Sequence, residues 1–199
     1  MVLSNASKAG IALFLGVVQF GLFVIVAESV SPAYSVSTNY ISDLGKAFPN
    51  SAPIFNSSII VLGLLVLVSA YFIQRAFNWK PGTAMIALAG IGQIGVGSFP
   101  EGSPYMLHSL FSLVTFLFIG LAAILMARWQ RAPLSYFSIV LGAITLVSML
   151  LYIPDSGGYW GGALEIGPGG LERMIVYPVL FWGVAFSGYL LASESKASA

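Results

Sequence analysis

Long apolar runs, separated by short polar breaks, make up most of the chain. Six runs, at about residues 9–27, 53–73, 83–99, 105–127, 134–153 and 171–191, are long enough to cross roughly 30 Å of hydrocarbon as helices. Their apolar residues are continuous rather than alternating, which excludes a β-barrel. In lipid a backbone must satisfy its own hydrogen bonds, so each run is predicted to be a helix. The predicted fold is all-α: a single polytopic transmembrane bundle of six helices filling residues 1–199, with no linker and no second domain.

The polar breaks differ between the two sides. The turns from Gln74 to Gly82 and from Arg128 to Pro133 are short and plain. Loops 28–52, 99–105 and 154–170 hold the Gly-rich and Pro-rich stretches and most of the acids. Six basic residues (Lys8, Arg75, Lys80, Arg128, Arg131 and Lys196) lie on the side of the termini, against two, Lys46 and Arg173, on the other. Short loops rich in Lys and Arg stay cytoplasmic. Both termini are therefore predicted to be cytoplasmic in a multi-pass plasma-membrane protein, with the three longer loops extracytoplasmic. Glu28, Asp43, Glu101, Asp155, Glu165 and Glu172 then share the outer side, and Glu194 is inside.

Composition agrees with lipid as the solvent. The 199 residues are 58% hydrophobic and 8% charged, whereas soluble domains carry about 25% charged residues. A net charge of +1 without a basic cluster gives no case for nucleic acid. The absence of cysteine excludes disulfides, thiol catalysis and thiolate metal sites. With a single histidine, too few nitrogen or sulfur ligands remain for haem or a tightly held transition metal, so no metal and no cofactor are expected. The apolar run after Lys8 is longer than that of a cleavable signal. It is read as a retained first helix, although Val24-Ile25-Val26-Ala27 before Glu28 resembles a cleavage end.

Candidate chemistry lies in the outer breaks. Asn39-Tyr40-Ile41-Ser42-Asp43-Leu44-Gly45 places an acid in an apolar chain. An ionisable group inside a bilayer costs about 2.5–3.5 kcal/mol by insertion scales, so it is usually functional or paired. Asp43 is open to two readings: a functional acid in a loop folded back by Tyr34, Tyr40, Ile41, Leu44 and Phe48, or the cap of a short helix assisted by Ser42. His108 has Ser112 and Thr115 on its own helical face. It serves as a general base or a polar ligand contact, or else as part of a hydrogen-bonded interhelical stripe, and a polar contact is preferred over a catalyst. Phe99-Pro100-Glu101-Gly102 and Ile153-Pro154-Asp155-Ser156-Gly157 form a weak repeat at two helix exits.

Glu172 suits the start of the sixth helix and its dipole, but Arg173 does not. Arg173 therefore calls for an acid or an anionic ligand, for which Arg suits bidentate contacts, or else it snorkels to the interface. Glu172 points about 100° away around the helix, which makes Asp43 the preferred partner. The sequence Gly90-Ile91-Gly92-Gln93-Ile94-Gly95 matches a dinucleotide motif, but no strand precedes it. Gly90, Gln93 and Gly97 instead read as a packing face, with Gln93 as an interhelical donor. Asn56-Ser57-Ser58 is a glycosylation sequon at a membrane edge. Tyr159, Trp160, Tyr177 and Trp182 are read as an outer aromatic belt, with Trp79 and Trp129 at the inner one.

Ile41-Ser42-Asp43-Leu44-Gly45, Phe55-Asn56, Gly97-x-Phe99-Pro100, His108 and Gly170-Leu171-Glu172-Arg173, in this order, resemble a prokaryotic family of six-helix integral membrane proteins described as a domain of unknown function. The likeness runs from end to end and implies fold and membrane location, not activity. The Ser-Asp-x-Gly stretch is also faintly similar to one in eukaryotic six-helix proteins linked to lipid remodelling and autophagy.

The expected site is an extracytoplasmic polar pocket lined by Ser42, Asp43, Asn56, Glu101, His108, Glu172 and Arg173. Its expected function is to recognise a lipid head group or small polar ligand, with membrane lipids as partners. In a hydrolytic version His108 activates water or Ser42, and Arg173 holds an anionic group. The alternative is a non-catalytic accessory subunit of a larger membrane protein complex. A transporter fits less well, because charges at mid-membrane depth and clear inverted repeats are missing.

Overall fold

The computed structural model describes residues 3–152 and 164–193, and among them it is helical without a strand. The helices are α1 (Asn5–Ser29), α2 (Ala52–Phe77), α3 (Lys80–Ser98), α4 (Leu107–Met126), α5 (Leu134–Tyr152) and α6 (Gly167–Ala192). Short 3-10 turns occupy Ser42–Gly45, Pro104–Met106 and Ala127–Trp129. The all-α class and the six helices are those the sequence predicts. Several boundaries lie further out than hydropathy alone suggests, because capping chemistry extends the helices. Ser4 Oγ accepts the Ser7 N–H at 3.1 Å, so α1 begins at Asn5 rather than near residue 9. Pro81 and Pro168 sit in the first turns of α3 and α6, where a missing N–H breaks no helical bond.

Among the described residues five of these six helices are long and apolar enough by mean hydropathy to cross a membrane. The exception is α3, whose glycines and Gln93 dilute its hydropathy. It is wedged between α2 and α4, and the glycines permit that approach. A Cβ on Gly63 of α2 would lie 2.6 Å from the Gly90 carbonyl, and one on Gly92 would lie 2.7 Å from the Thr115 N.

Each helix packs on its neighbours in sequence, and α6 returns to α1, closing a ring. This order gathers the loop after α1, the turn after α3 and the start of α6 at one end, the loop end. The turns after α2 and α4 lie at the other, the turn end. Leu22, Ile25, Tyr71, Leu150 and Phe181 point outward and are exposed. Such apolar flanks are stable against lipid rather than water, so the chain is a multi-pass membrane protein.

Polar side chains tie the helices together. Gln19 Nε2 donates to the Ser58 carbonyl at 2.9 Å, and Ser69 Oγ to that of Ala9 at 3.1 Å. Thr145 Oγ1 donates to the Ile175 carbonyl at 2.9 Å, in the turn that Pro178 disturbs. Bonds of this kind contribute roughly 0.6 kcal/mol on average in lipid. Gln19, not Gln93, is thus the glutamine that donates between helices. Trp182 is also corrected: it is 1% exposed and stacks on Phe186 at 5.2 Å, inside the bundle rather than in a belt. At the turn end Trp79 and Trp129 do cluster, and the Arg128 guanidinium lies 4.7 Å from the Trp79 ring. Tyr159, Trp160 and the second copy of the weak repeat, from Ile153 to Gly157, lie outside the described residues.

Candidate functional site

The loop after α1 folds back over the loop end of the ring. Ile41 and Leu44 are buried beneath it, and Tyr34 packs its ring edge-on to Phe48 at 5.5 Å. The first two turns of α6 hold this loop. Gly169 N–H donates to the Ser37 carbonyl at 3.0 Å. At this contact a Cβ on Gly169 would collide with the carbonyl oxygens of Asn39 and Val36. The Glu172 carboxylate accepts the Ile41 N–H, and the Ser42 N–H and hydroxyl face the same group. Glu172 therefore seats the entry of the Ser42–Gly45 turn.

Arg173, next in sequence and turned away around the helix, holds the other half of the loop. Its Nη1 donates to the carbonyls of Val36 at 2.8 Å, Gly169 at 3.0 Å and Asn39 at 3.4 Å. Its Nη2 donates to Glu28 Oε1 at 2.7 Å and to the Tyr34 hydroxyl at 2.6 Å. The expected pairing of Arg173 with Asp43 is therefore corrected: the ion pair is with Glu28, at the end of α1. Asp43 is engaged by its own turn. It accepts the Tyr40 N–H at 2.9 Å and the Asn39 side-chain amide at 3.2 Å. Asp43 lies inside the Ser42–Gly45 turn rather than at its cap, Ile41, and Ser42 sits on Glu172 instead of assisting. Burial pushes the Tyr34 phenol up to about 12 against the pull of Arg173, so it stays protonated beside the guanidinium.

Asn56 fixes the exit of the same turn, donating from Nδ2 to the Gly45 carbonyl at 2.9 Å, while its Oδ1 is buried without a partner. Asp43, Asn56 and Arg173 are thus parts of the loop's anchorage.

A separate cavity of about 480 Å³ lies at the loop end between α4, α5, α6 and the turn. Its polar wall is Tyr40, Ser42, Glu101, His108, Ser109, Ser112, Tyr152 and Glu172, and its apolar wall is Met106, Leu113, Phe116 and Met149. Of the predicted site residues, Ser42, Glu101, His108 and Glu172 meet in this chamber, and Asp43, Asn56 and Arg173 do not line it. Met106, Ser109 and Leu113 are themselves exposed, so the chamber opens at the surface. The Tyr40 and Tyr152 rings meet edge to face at 5.6 Å and join the loop to α5.

His108 is buried, with Nδ1 3.0 Å from the Phe99 carbonyl. A carbonyl only accepts, so Nδ1 carries a proton in this contact, and the neutral ring leaves Nε2 as an acceptor. That arrangement suits a polar contact and equally a general base. The hydrolytic arrangement loses its anion clamp, because Arg173 is engaged by the loop. Burial raises the Glu101 carboxyl above its usual 4.5, the hydrogen bond and charge of Asp43 raise it further, and Lys46 opposes both. A protonated Glu101 can donate towards Asp43 or towards a chamber occupant.

Sequence reasoning did not single out Tyr40, Ser109 and Tyr152 as chamber walls, nor Glu28 and Tyr34 as partners of Arg173. For Glu28 a signal existed: it is an acid at the foot of an apolar run, on the same side as an arginine placed against its helix dipole.

Residues 14–189 match the family described as Protein of unknown function (DUF998), and the chain belongs to that family. No curated protein and no solved structure matches the chain.

Proposed function

We propose that the protein recognises a lipid head group or small polar ligand in the loop-end chamber, and that this chamber faces the extracytoplasmic side. The observation that carries the reading is the chamber itself. A partly polar cavity of about 480 Å³ falls in the size range of small-molecule sites, about 300–1,000 Å³. It is open, and its wall offers two carboxyl groups and an imidazole nitrogen. The anchored loop forms a preorganised roof, which lowers the ordering cost of binding. Among the described residues neither lysine nor arginine lines the chamber, so it favours a neutral or cationic head with hydrogen-bond donors over a phosphate or carboxylate. The sidedness rests on the six-to-two distribution of Lys and Arg.

The test is native mass spectrometry of protein extracted gently from its own membrane. Wild-type protein is expected to retain one small molecule or lipid. Ser109→Trp, which blocks the mouth, and Glu101→Gln are expected to lose it while remaining folded and monodisperse on size-exclusion chromatography. Equal retention by all three proteins, or no bound species in any, overturns the proposal.

A further inference from the structure

A second cavity, of about 70 Å³, runs down the middle of the ring. Its walls are mainly apolar side chains, including Val17, Phe20, Leu62 and Ile119. It shares Ser42, Ser112, Phe116 and Glu172 with the loop-end chamber, so the two spaces adjoin across these four residues. From Glu172 to Trp182, both on its wall, α6 rises about 15 Å. So small a volume over that depth makes a slot that suits one narrow chain.

The slot also holds an unanswered polar atom. Gln93 is 6% exposed, lines the slot, and its Oε1 has no hydrogen-bond partner. Leaving a buried acceptor unpaired is unfavourable. Gln93 stands five residues, about 7.5 Å, below Ser98 at the loop end of α3. A donor on an occupant would reach it just beneath the head group. Trp182, whose Nε1 also lacks a partner, stands at the deep end.

We infer that the ligand is a single-chain amphiphile: a neutral or cationic, donor-bearing head in the chamber, one unbranched alkyl or acyl chain in the slot, and a donor at their junction for Gln93. This inference rests on the chamber being the head-group site. A polar chamber adjoining an apolar slot of one-chain width suits such a molecule at both ends. A free polar ligand leaves the slot empty. The carboxyl groups of Glu101 and Glu172 disfavour a carboxylate head.

Trp182 reports on the slot directly. The full chain carrying Trp79→Phe, Trp129→Phe and Trp160→Phe keeps Trp182 as its one tryptophan and is placed in phospholipid nanodiscs. It is titrated with a monoacylglycerol brominated near the chain end, the matching brominated fatty acid, and a brominated diacyl phospholipid. If the triple variant does not fold, the difference between wild type and Trp182→Phe gives the same signal. The monoacylglycerol is expected to quench saturably, at one molecule per protein, and the carboxylate to require about tenfold more. Val66→Phe, which fills the slot, should abolish the quenching, and Gln93→Leu should weaken it several-fold. Quenching that rises in proportion to mole fraction, or equally with the diacyl lipid, overturns the inference, as does no quenching at all, the outcome for a water-filled slot. A four-carbon monoacylglycerol separates the two levels. If it raises the unfolding temperature of wild type but not of Glu101→Gln, and a longer chain adds nothing, the slot assignment fails and the head-group reading stands. If neither probe acts, both fail.

Discussion

Replacing Arg173 tests how the roof of the chamber is held. Arg173→Met keeps the apolar stem and removes the guanidinium, together with its ion pair to Glu28 and its bonds to Tyr34 and three carbonyls. Breaking a fully buried pair costs about 3–5 kcal/mol, because the remaining charge is stranded. Here the Arg173 side chain is 8% exposed but that of Glu28 is 23% exposed, so water partly relieves the carboxylate. We expect a loss of about 3 kcal/mol for Arg173→Met and about 1 kcal/mol for Glu28→Gln. Once the arginine is gone, the carboxylate is a liability, so the double variant should recover about 1–2 kcal/mol relative to the sum. The assay is denaturant unfolding in mixed micelles, followed by tryptophan fluorescence. Asp43→Asn serves as the control: its carboxylate binds Tyr40 and Asn39, so its loss should add to that of Arg173→Met. Additive losses for Arg173 with Glu28, or coupling of Arg173 with Asp43 instead, refute the reasoning.

Gly169→Ala forces a Cβ into the carbonyls of Asn39 and Val36 and should destabilise by about 2 kcal/mol or more. Gly188→Ala, which meets nothing within 4 Å, should be neutral or slightly stabilising in the same unfolding assay. A carboxyl raised by folding is favoured in its protonated form, so its contribution is complete below 4.5 and is lost as pH rises through the raised value. Wild-type protein should therefore lose stability over that interval relative to Glu101→Gln, in melting curves recorded between pH 4 and 7. Cysteines introduced singly at Ser103 and Ser195 test sidedness: an impermeant reagent applied to intact cells should label Ser103→Cys and not Ser195→Cys.

The helices were legible because continuous apolar runs of membrane length have few alternatives. Their ends were less so, since Ser4, Pro81 and Pro168 extend helices through capping that hydropathy does not record. α3 gives the weakest signal of the six, because its glycines serve packing between two neighbours, which a hydropathy average reads only as weak apolarity. In the site, the acid-arginine step at Glu172 and Arg173 and the turn around Asp43 were visible as polar residues out of place. Their pairing was not, because it depends on how the loop after α1 folds back, and that is set by buried Ile41 and Leu44 and by the close approach at Gly169. The run Gly167-Pro168-Gly169-Gly170 carried the hint of that approach. Trp182 was placed in a belt on residue type alone, whereas it lies well inside α6 and stacks on Phe186 within the bundle.

The central claim is that the loop-end chamber is a binding site, and the most direct measurement is an electron cryomicroscopy map of the protein extracted with its native lipids. We predict elongated non-protein density with its polar end in contact with Glu101, His108 and Tyr152 and its body directed between Gln93 and Trp182. A chamber closed by inward movement of Tyr40 and Tyr152, or one holding only isolated water peaks, would contradict the account.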